Sequence, residues 1–248
     1  MALVSTEAVI LRSYDYGDTS RILKCYSKDY GLVSVMAKGA RGRSGRGDMP
    51  ITNFSSGILS LYLKKHRELH TMKDFSCHHL RNELAKDMLR FAGASAIAEI
   101  ILAHADHECR PEIFKGIESG LDTLESIDAK GVPAAALSGL WQVIRIFGFE
   151  PQLEVCVRCG KQINETEAGR FNYSAGGLAC DECAEETDGP RIGPLARIQI
   201  RQLVQGSLGA TIDHPKRHLA VLERFLSYHV LSKPLKSLSF MERLLAKI

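Results

Sequence analysis

No stretch of this 248-residue chain approaches the eighteen or so uninterrupted apolar residues that a membrane-spanning helix requires. The opening residues, MALVSTEAVILRSYD, lack a basic leader followed by a small-residue cleavage site, so the expectation is a mature, cytoplasmic protein with no membrane partner. Cysteine is scarce, seven in all and unevenly spaced, which excludes a secreted disulfide framework. Three of them, Cys25, Cys77 and Cys109, are scattered and read as reduced thiols used as small apolar side chains. There is no internal repeat or low-complexity tract. Signatures of catalysis are missing too: no G-x-S-x-G elbow occurs and no Cys/His nucleophile pattern is evident. Near Gly42 and Gly47 the spacing comes close to a phosphate-binding P-loop, but Asp48 stands where the lysine must be. Neither an enzyme nor a nucleotide cofactor is expected.

What is present is an ordinary globular composition, 45% apolar and 25% charged, on a chain long enough for two or three units. The net charge of +3 conceals a strong asymmetry. Residues 1–80 hold 12 Lys/Arg against 7 Asp/Glu, residues 81–190 hold 10 against 19, and residues 191–248 hold 10 against 3. Two basic ends around an acidic middle point to a polyanionic partner.

The first 75 residues alternate as short strands do: AVIL, RILKCYS, LVSVMAK, GILSLYL and ELHTMKDF, with breaks at Gly17 and Gly31. Five such runs suit a small barrel, because closure removes sheet edges that so short a unit has no means to cover. Strand count alone leaves an oligonucleotide-binding (OB) barrel and an SH3-like barrel both open. From residue 80 the period changes to helical. Leu80, Leu84, Met88, Phe91, Ile97 and Ile101 predict one buried face of a long helix, and helices follow at about 112–127, 134–147, 195–208, 215–231 and 235–247. The boundaries expected are a β module over 1–78 and an α-helical domain over 79–248, with a cysteine-bearing loop inserted at about 153–190.

That loop contains Cys156, Cys159, Cys180 and Cys183 in the spacing C-x2-C-x20-C-x2-C. Each C-x2-C turn aims two thiolates at one ion, and two turns complete a tetrahedron. The intervening residues are glycine-rich with few large apolar side chains, so a bound metal would replace missing hydrophobic burial. One structural Zn2+ per chain is the expectation, with four thiolates leaving no open position for metal catalysis.

The segment AKGARGRSGRGD, residues 37–48, carries Lys38, Arg41, Arg43 and Arg46 among four glycines. Glycine lets a backbone approach phosphates closely, and each arginine fork can hold two phosphate oxygens. A loop that grips a nucleic-acid backbone is expected here, with Gly39 in its turn and Arg12, Arg21 and Lys24 on neighbouring strands extending the track. Aromatics for base stacking are thin: Tyr14, Tyr16, Tyr26, Tyr30 and Tyr62 are mostly read as barrel packing, so backbone contact with weak sequence preference is expected. HADHEC at 104–109 reads as a polar helix end, and His214 and His218 as surface or phosphate contacts.

Several stretches together resemble the RecO family of bacterial recombination mediators. They are EAVILRSYDYGDTSRILKCYSKDYGLVSVMAKGARG, LRNELAKDMLRFAGASAIAEII, LSGLWQVIRIFGFEPQLEVCVRCG and FNYSAGGLACDEC, in family order. The most specific is YGDTSRI followed by G-L-x-S-V-x-A-K-G-A-R. The resemblance implies an α+β, multidomain chain: a five-stranded OB-fold barrel, then an α-helical domain with an inserted four-cysteine zinc-binding loop. The activity implied is binding of single- and double-stranded DNA, annealing of complementary strands, and help in loading RecA onto DNA coated by single-stranded DNA-binding protein. Partners implied are RecR and the acidic C-terminal tail of single-stranded DNA-binding protein. The family match extends to Lys38, Gly39 and Arg41; Arg43 and Arg46 are added from charge. A rival reading is a zinc-stapled interaction scaffold whose barrel binds a peptide.

Overall fold

The computed structural model describes residues 2–41, 51–64, 67–106, 108–207, 209, 211–231 and 233–247. Its first strand, β1 (Ala2–Tyr16), is 15 residues long and serves two neighbours. Its first half pairs antiparallel with β4 (Ser56–Leu63), and its second half with β2 (Ser20–Ser27). A register shift between Ile10 and Arg12 lets the strand bend from one neighbour to the other. β3 (Gly31–Ala37) follows β2, and β5 (Leu69–His79) closes the sheet by pairing parallel with β3 and antiparallel with β4. The result is a closed barrel in the order β1-β2-β3-β5-β4, an OB-like fold filled by Ile10, Leu23, Val35, Leu59, Leu61 and Phe75. Burial pushes the interior Cys25 thiol up to about 12, so it stays a neutral packing group.

The AVIL run in β1 is continuous rather than alternating because both of its faces are covered. Ala8 and Ile10 point into the barrel, while Val9 and Leu11 join Tyr26 and Phe54 in the core of the helical part. One wall of the barrel is thus bedded on helices. The β2–β3 turn is part of the same seam: Leu32 N donates to Asp106 O at 3.0 Å, and a Cβ on Gly31 (φ +60°) would lie 2.5 Å from Glu108 O. Only glycine fits there.

The helical part comprises α1 (Glu83–Lys86), α2 (Met88–His104), α3 (Pro111–Ser126) and α4 (Val132–Ile146). Beyond the cysteine segment come α5 (Pro194–Gln205), α6 (Pro215–His229) and α7 (Lys236–Leu245). The single long helix expected from residue 80 is broken. Asp87 is extended (φ −127°, ψ 125°), and its carboxylate accepts from Arg90 N to start α2. The expected buried face shifts accordingly, leaving Met88 and Phe91 exposed. Leu84, Ile97 and Ile101 are buried as expected, and Leu89, Ala92, Ala96 and Ile100 join them, so burial extends around most of the helix. α2 is central, so small residues rather than a single apolar stripe mark its contacts.

Between the barrel and the helices sits Arg81, in the left-handed region (φ +52°) with its side chain wholly buried. Its guanidinium reaches Asp122 at 2.7 Å and Glu118 at 3.0 Å on α3, and donates to Phe54 O and Ser56 Oγ, each at 2.7 Å. A second seam joins Arg12, Glu99 and Ser237. Arg12 Nη2 donates to Glu99 Oε1 at 3.0 Å, and Ser237 Oγ at the start of α7 donates to Glu99 Oε2 at 2.8 Å.

His218 corrects an expectation. It is buried on α6 with Nε2 3.1 Å from Gln199 Oε1, not placed on the surface. Burial, with His214 adding repulsion and Asp213 opposing, takes the imidazole down to about 4 from 6.5. The native state therefore binds this proton less readily than the unfolded chain. Stability is fully present above the upper value and is lost as pH falls toward the lower one. The expected loss is roughly 2 kcal/mol by about pH 5, and His218→Gln should remove it from the pH dependence of urea unfolding. An unchanged slope in that variant would place the acid sensitivity elsewhere.

Candidate nucleic-acid interface and cysteine cluster

The β1–β2 hairpin and the segment leaving β3 meet at one end of the barrel. Arg41 N donates to Thr19 O at 2.9 Å and Arg41 Nη1 to Gly17 O at 3.3 Å, stitching the two turns together. Gly17 (φ +57°) and Gly39 (φ +72°) supply the left-handed positions. Asp15 lies between two cations: its carboxylate is 3.2 Å from Arg21 Nε and 3.6 Å from Arg41 Nη1. Arg21 also donates to Ile51 O at 3.3 Å. Lys38 is exposed beside them. Sequence-expected Lys38, Gly39, Arg41 and Arg21 are thus gathered at one end, with Asp15 among them and Asp18 exposed in the same turn.

The other expected positions fare differently. Arg12 and Lys24 face each other in register across β1 and β2. Arg12, however, is drawn to Glu99 in the helical part, and Lys24 Nζ donates to Ser34 Oγ at 2.7 Å. Arg43 and Arg46 lie outside the described residues. The tyrosines divide. Tyr26 is buried, its hydroxyl donating to Arg110 O at 3.3 Å, whereas Tyr14 and Tyr16 stand on the outer face of the hairpin, 45% and 53% exposed. Reading most of them as packing does not single out these two. Their even-numbered register with Arg12 is the available signal, since Arg12, Tyr14 and Tyr16 share the outward phase of the strand.

The cysteine segment forms a three-stranded sheet of its own, in the order β7-β6-β8, from β6 (Gly169–Asn172), β7 (Gly177–Cys180) and β8 (Arg191–Ile192). The Sγ atoms of Cys156, Cys159, Cys180 and Cys183 all lie within 4.8 Å of one another and can hold a metal ion. Cys159 and Cys180 Sγ are 3.9 Å apart, close to the roughly 3.8 Å expected across a tetrahedron with metal–sulfur bonds of about 2.3 Å. Burial opposes ionisation of Cys156, but backbone N–H groups of Cys180 and Arg158, at 3.3 and 3.5 Å from its sulfur, help bring the thiol down to about 6. Contacts with the Cys159 and Cys180 sulfurs, with burial behind them, push Cys183 up to about 12. Four thiolates this close cannot all ionise without a cation among them, which is the chemistry of a metal-binding set.

Around the cluster the acidic run is matched locally. Arg158 pairs with Glu185 and, at 3.0 Å, with Asp188; Lys161 reaches Glu182 at 3.2 Å and Arg191 reaches Asp181 at 2.8 Å. The loop also has more core than its composition suggests. Phe171, Leu178 and Ile192 belong to the same buried cluster as α4, α5 and α6.

Comparison with known proteins matches both parts of the chain. Residues 1–81 match the family model for the recombination protein O N terminal, and residues 85–239 that for the recombination protein O C terminal. The chain belongs to the RecO family. RecO relatives match along nearly the whole length. A protein from Desulfitobacterium hafniense (strain DSM 10664 / DCB-2) is 27% identical over 98% of this chain and 91% of its own. One from Desulfatibacillum aliphaticivorans is 29% identical over 98% of each. One from Anaeromyxobacter sp. (strain K) is 29% identical over 93% of this chain and 92% of its own. Each of these carries the name DNA repair protein RecO. Among the described residues, no helix is long and apolar enough to cross a membrane.

Proposed function

We propose that this RecO-family chain is a DNA-binding mediator of recombinational DNA repair, not an enzyme, acting in the cytoplasm. It binds single- and double-stranded DNA, anneals complementary strands, and assists RecA loading together with RecR on DNA coated by single-stranded DNA-binding protein, whose acidic tail docks on the helical domain. What carries the reading is the end of the barrel, where Lys38, Arg21 and Arg41 gather around two stitched turns in a chain whose relatives are named as DNA repair proteins. Cations on short turns can follow a phosphate backbone without reading bases. Annealing needs two strands held close against their mutual repulsion. Screening by basic surfaces at both ends of the chain meets that need without a reacting group.

In this reading Cys156, Cys159, Cys180 and Cys183 would hold a single zinc. Bound there, it would supply a closed structural crosslink and leave the DNA chemistry to the protein's cations.

Lys38→Ala/Arg41→Ala is expected to weaken binding of a random oligonucleotide and to flatten the plot of log affinity against log salt by about 0.7 for each single-strand phosphate that is no longer neutralised. Titration by fluorescence anisotropy from roughly 50 to 200 mM salt, the range over which such ion pairs fade, measures both. Unchanged affinity and slope would remove the barrel end from DNA binding. Slight salt dependence in the unsubstituted protein would favour a peptide as the barrel's partner.

A further inference from the structure

A ladder of aromatic rings runs from the core of the helical part to its surface. Trp141 packs on Phe225 (centroids 5.2 Å apart), Phe225 on Phe171 (6.3 Å), Phe171 on Tyr173 (5.1 Å), and Tyr173 stacks on Tyr228 (5.9 Å, planes 17° apart). The first rings are buried, whereas Tyr228, at the outer end, is 53% exposed. Arg224, one turn before Tyr228 on α6, places its guanidinium carbon 5.8 Å from the centroids of both tyrosine rings. The arrangement is held from below: His229 Nε2 lies 2.6 Å from Tyr173 O, and Asn172 Oδ1 accepts from Ala175 N at 2.7 Å to fix the β6–β7 turn.

Tyr173 also lines a cleft of about 620 Å³ between β8, α5 and α6, a volume within the range of ligand sites. Its wall is largely apolar, with Leu195, Ile200 and Val221, and Arg217 stands in it three residues along α6 from His214. His218 lines it too, buried, with Nδ1 lacking any hydrogen-bond partner. Arg217, Arg224 and Tyr228 recur at helical spacing on one exposed side of α6, in a region holding 10 Lys/Arg against 3 Asp/Glu. None of these residues belongs to the barrel end or to the cysteine cluster.

We propose that Tyr228, backed by Tyr173 and flanked by Arg224 and the adjoining cleft, is a second polynucleotide site that holds single strands by stacking their unpaired bases. An exposed ring offers a flat face to any base, and a guanidinium beside it serves both the base and the following phosphate. The cleft admits a neighbouring base between its apolar wall and Arg217. Duplex bases already stack on one another and present no free face, so this site discriminates against duplex where the barrel end does not. The inference rests on the reading of the chain as a DNA binder, and it adds base contact to a protein otherwise read as a backbone binder.

The test uses the full-length, metal-loaded protein and two labelled single strands of equal length, oligo-dT and an abasic strand carrying the same phosphates. Tyr228→Ala is expected to weaken oligo-dT binding by roughly 5- to 100-fold while leaving the abasic strand unchanged, and Tyr228→Phe to retain binding. Tyr228 is exposed, so folding is not at risk. Wild-type behaviour of Tyr228→Ala on oligo-dT, with Lys38→Ala/Arg41→Ala still weakened, would overturn the second site and leave the barrel reading standing. If neither variant affected any DNA, both would fall. Loss of binding to an acidic peptide with an apolar end in Tyr228→Ala and Arg217→Ala, with DNA binding intact, would reassign the surface to a peptide and overturn the proposal.

Discussion

Cys180→Ser, or removal of the metal by a chelator, is expected to unfold the segment from about 153 to 192 and to loosen α5 and α6 with it. The cost should be on the order of 5 kcal/mol or more, because metal binding in such segments supplies the folding free energy that their small cores lack. The damage spreads for a specific reason. Arg197 on α5 is buried, and its guanidinium donates to this segment: Nη1 to Ile163 O at 3.1 Å and Nη2 to Asn164 O at 2.6 Å. Without the segment in place, a guanidinium is left buried without acceptors. Phe171 would also withdraw from Phe225, on which the chain's single tryptophan, Trp141, packs. Trp141 fluorescence during chelation therefore reports the event. An unchanged emission maximum and thermal midpoint after quantitative metal removal would show that the helices stand without the crosslink.

Arg81→Met should be the next most damaging change, costing about 3 kcal/mol, as removal of one member of a buried charge cluster does. The figure is held below the upper end of that range because Glu118 and Asp122 remain partly open to solvent and can rehydrate. Two losses combine: Phe54 O and Ser56 Oγ lose their donor, and α3 loses its ties through Arg81, although Ser56 Oγ still donates to Glu118 and His79 Nδ1 still lies 3.4 Å from Asp122. Denaturant unfolding measures the first. Faster amide exchange in β4, with the barrel interior still protected, would report the second. An unchanged midpoint would mean that the apolar seam through Val9, Leu11, Tyr26 and Phe54 suffices to seat the barrel.

Arg81 is also where sequence reading reaches its limit. Nothing in LRNEL distinguishes an arginine that will be wholly buried from one on a solvated helix face, since its partners Glu118, Asp122 and Phe54 are remote in the chain. The five strands are legible because alternation in a thin barrel has few solutions, and the cysteine cluster because its spacing is local. The helix break at Asp87 has no glycine or proline to mark it. A carboxylate capping Arg90 N makes the break instead. Exposure of Met88 and Phe91 follows, because α2 is surrounded by neighbours and its periodicity carries little direction. At the barrel end the cations are readable from charge, but Asp15, which divides itself between Arg21 and Arg41, is one acid among many bases until the turns are folded. His218 escapes a sequence reading for a similar reason: only Gln199, 19 residues away, shows that its ring is inside.

Glu99 has a place in the order of synthesis. Its carboxylate joins Arg12, made among the first residues, to Ser237, made more than two hundred residues later. A nascent chain can close its barrel early, yet Glu99 keeps an unclaimed oxygen until α7 has left the ribosome. α7 therefore acts as a latch on Glu99, the residue that also holds Arg12 of the barrel.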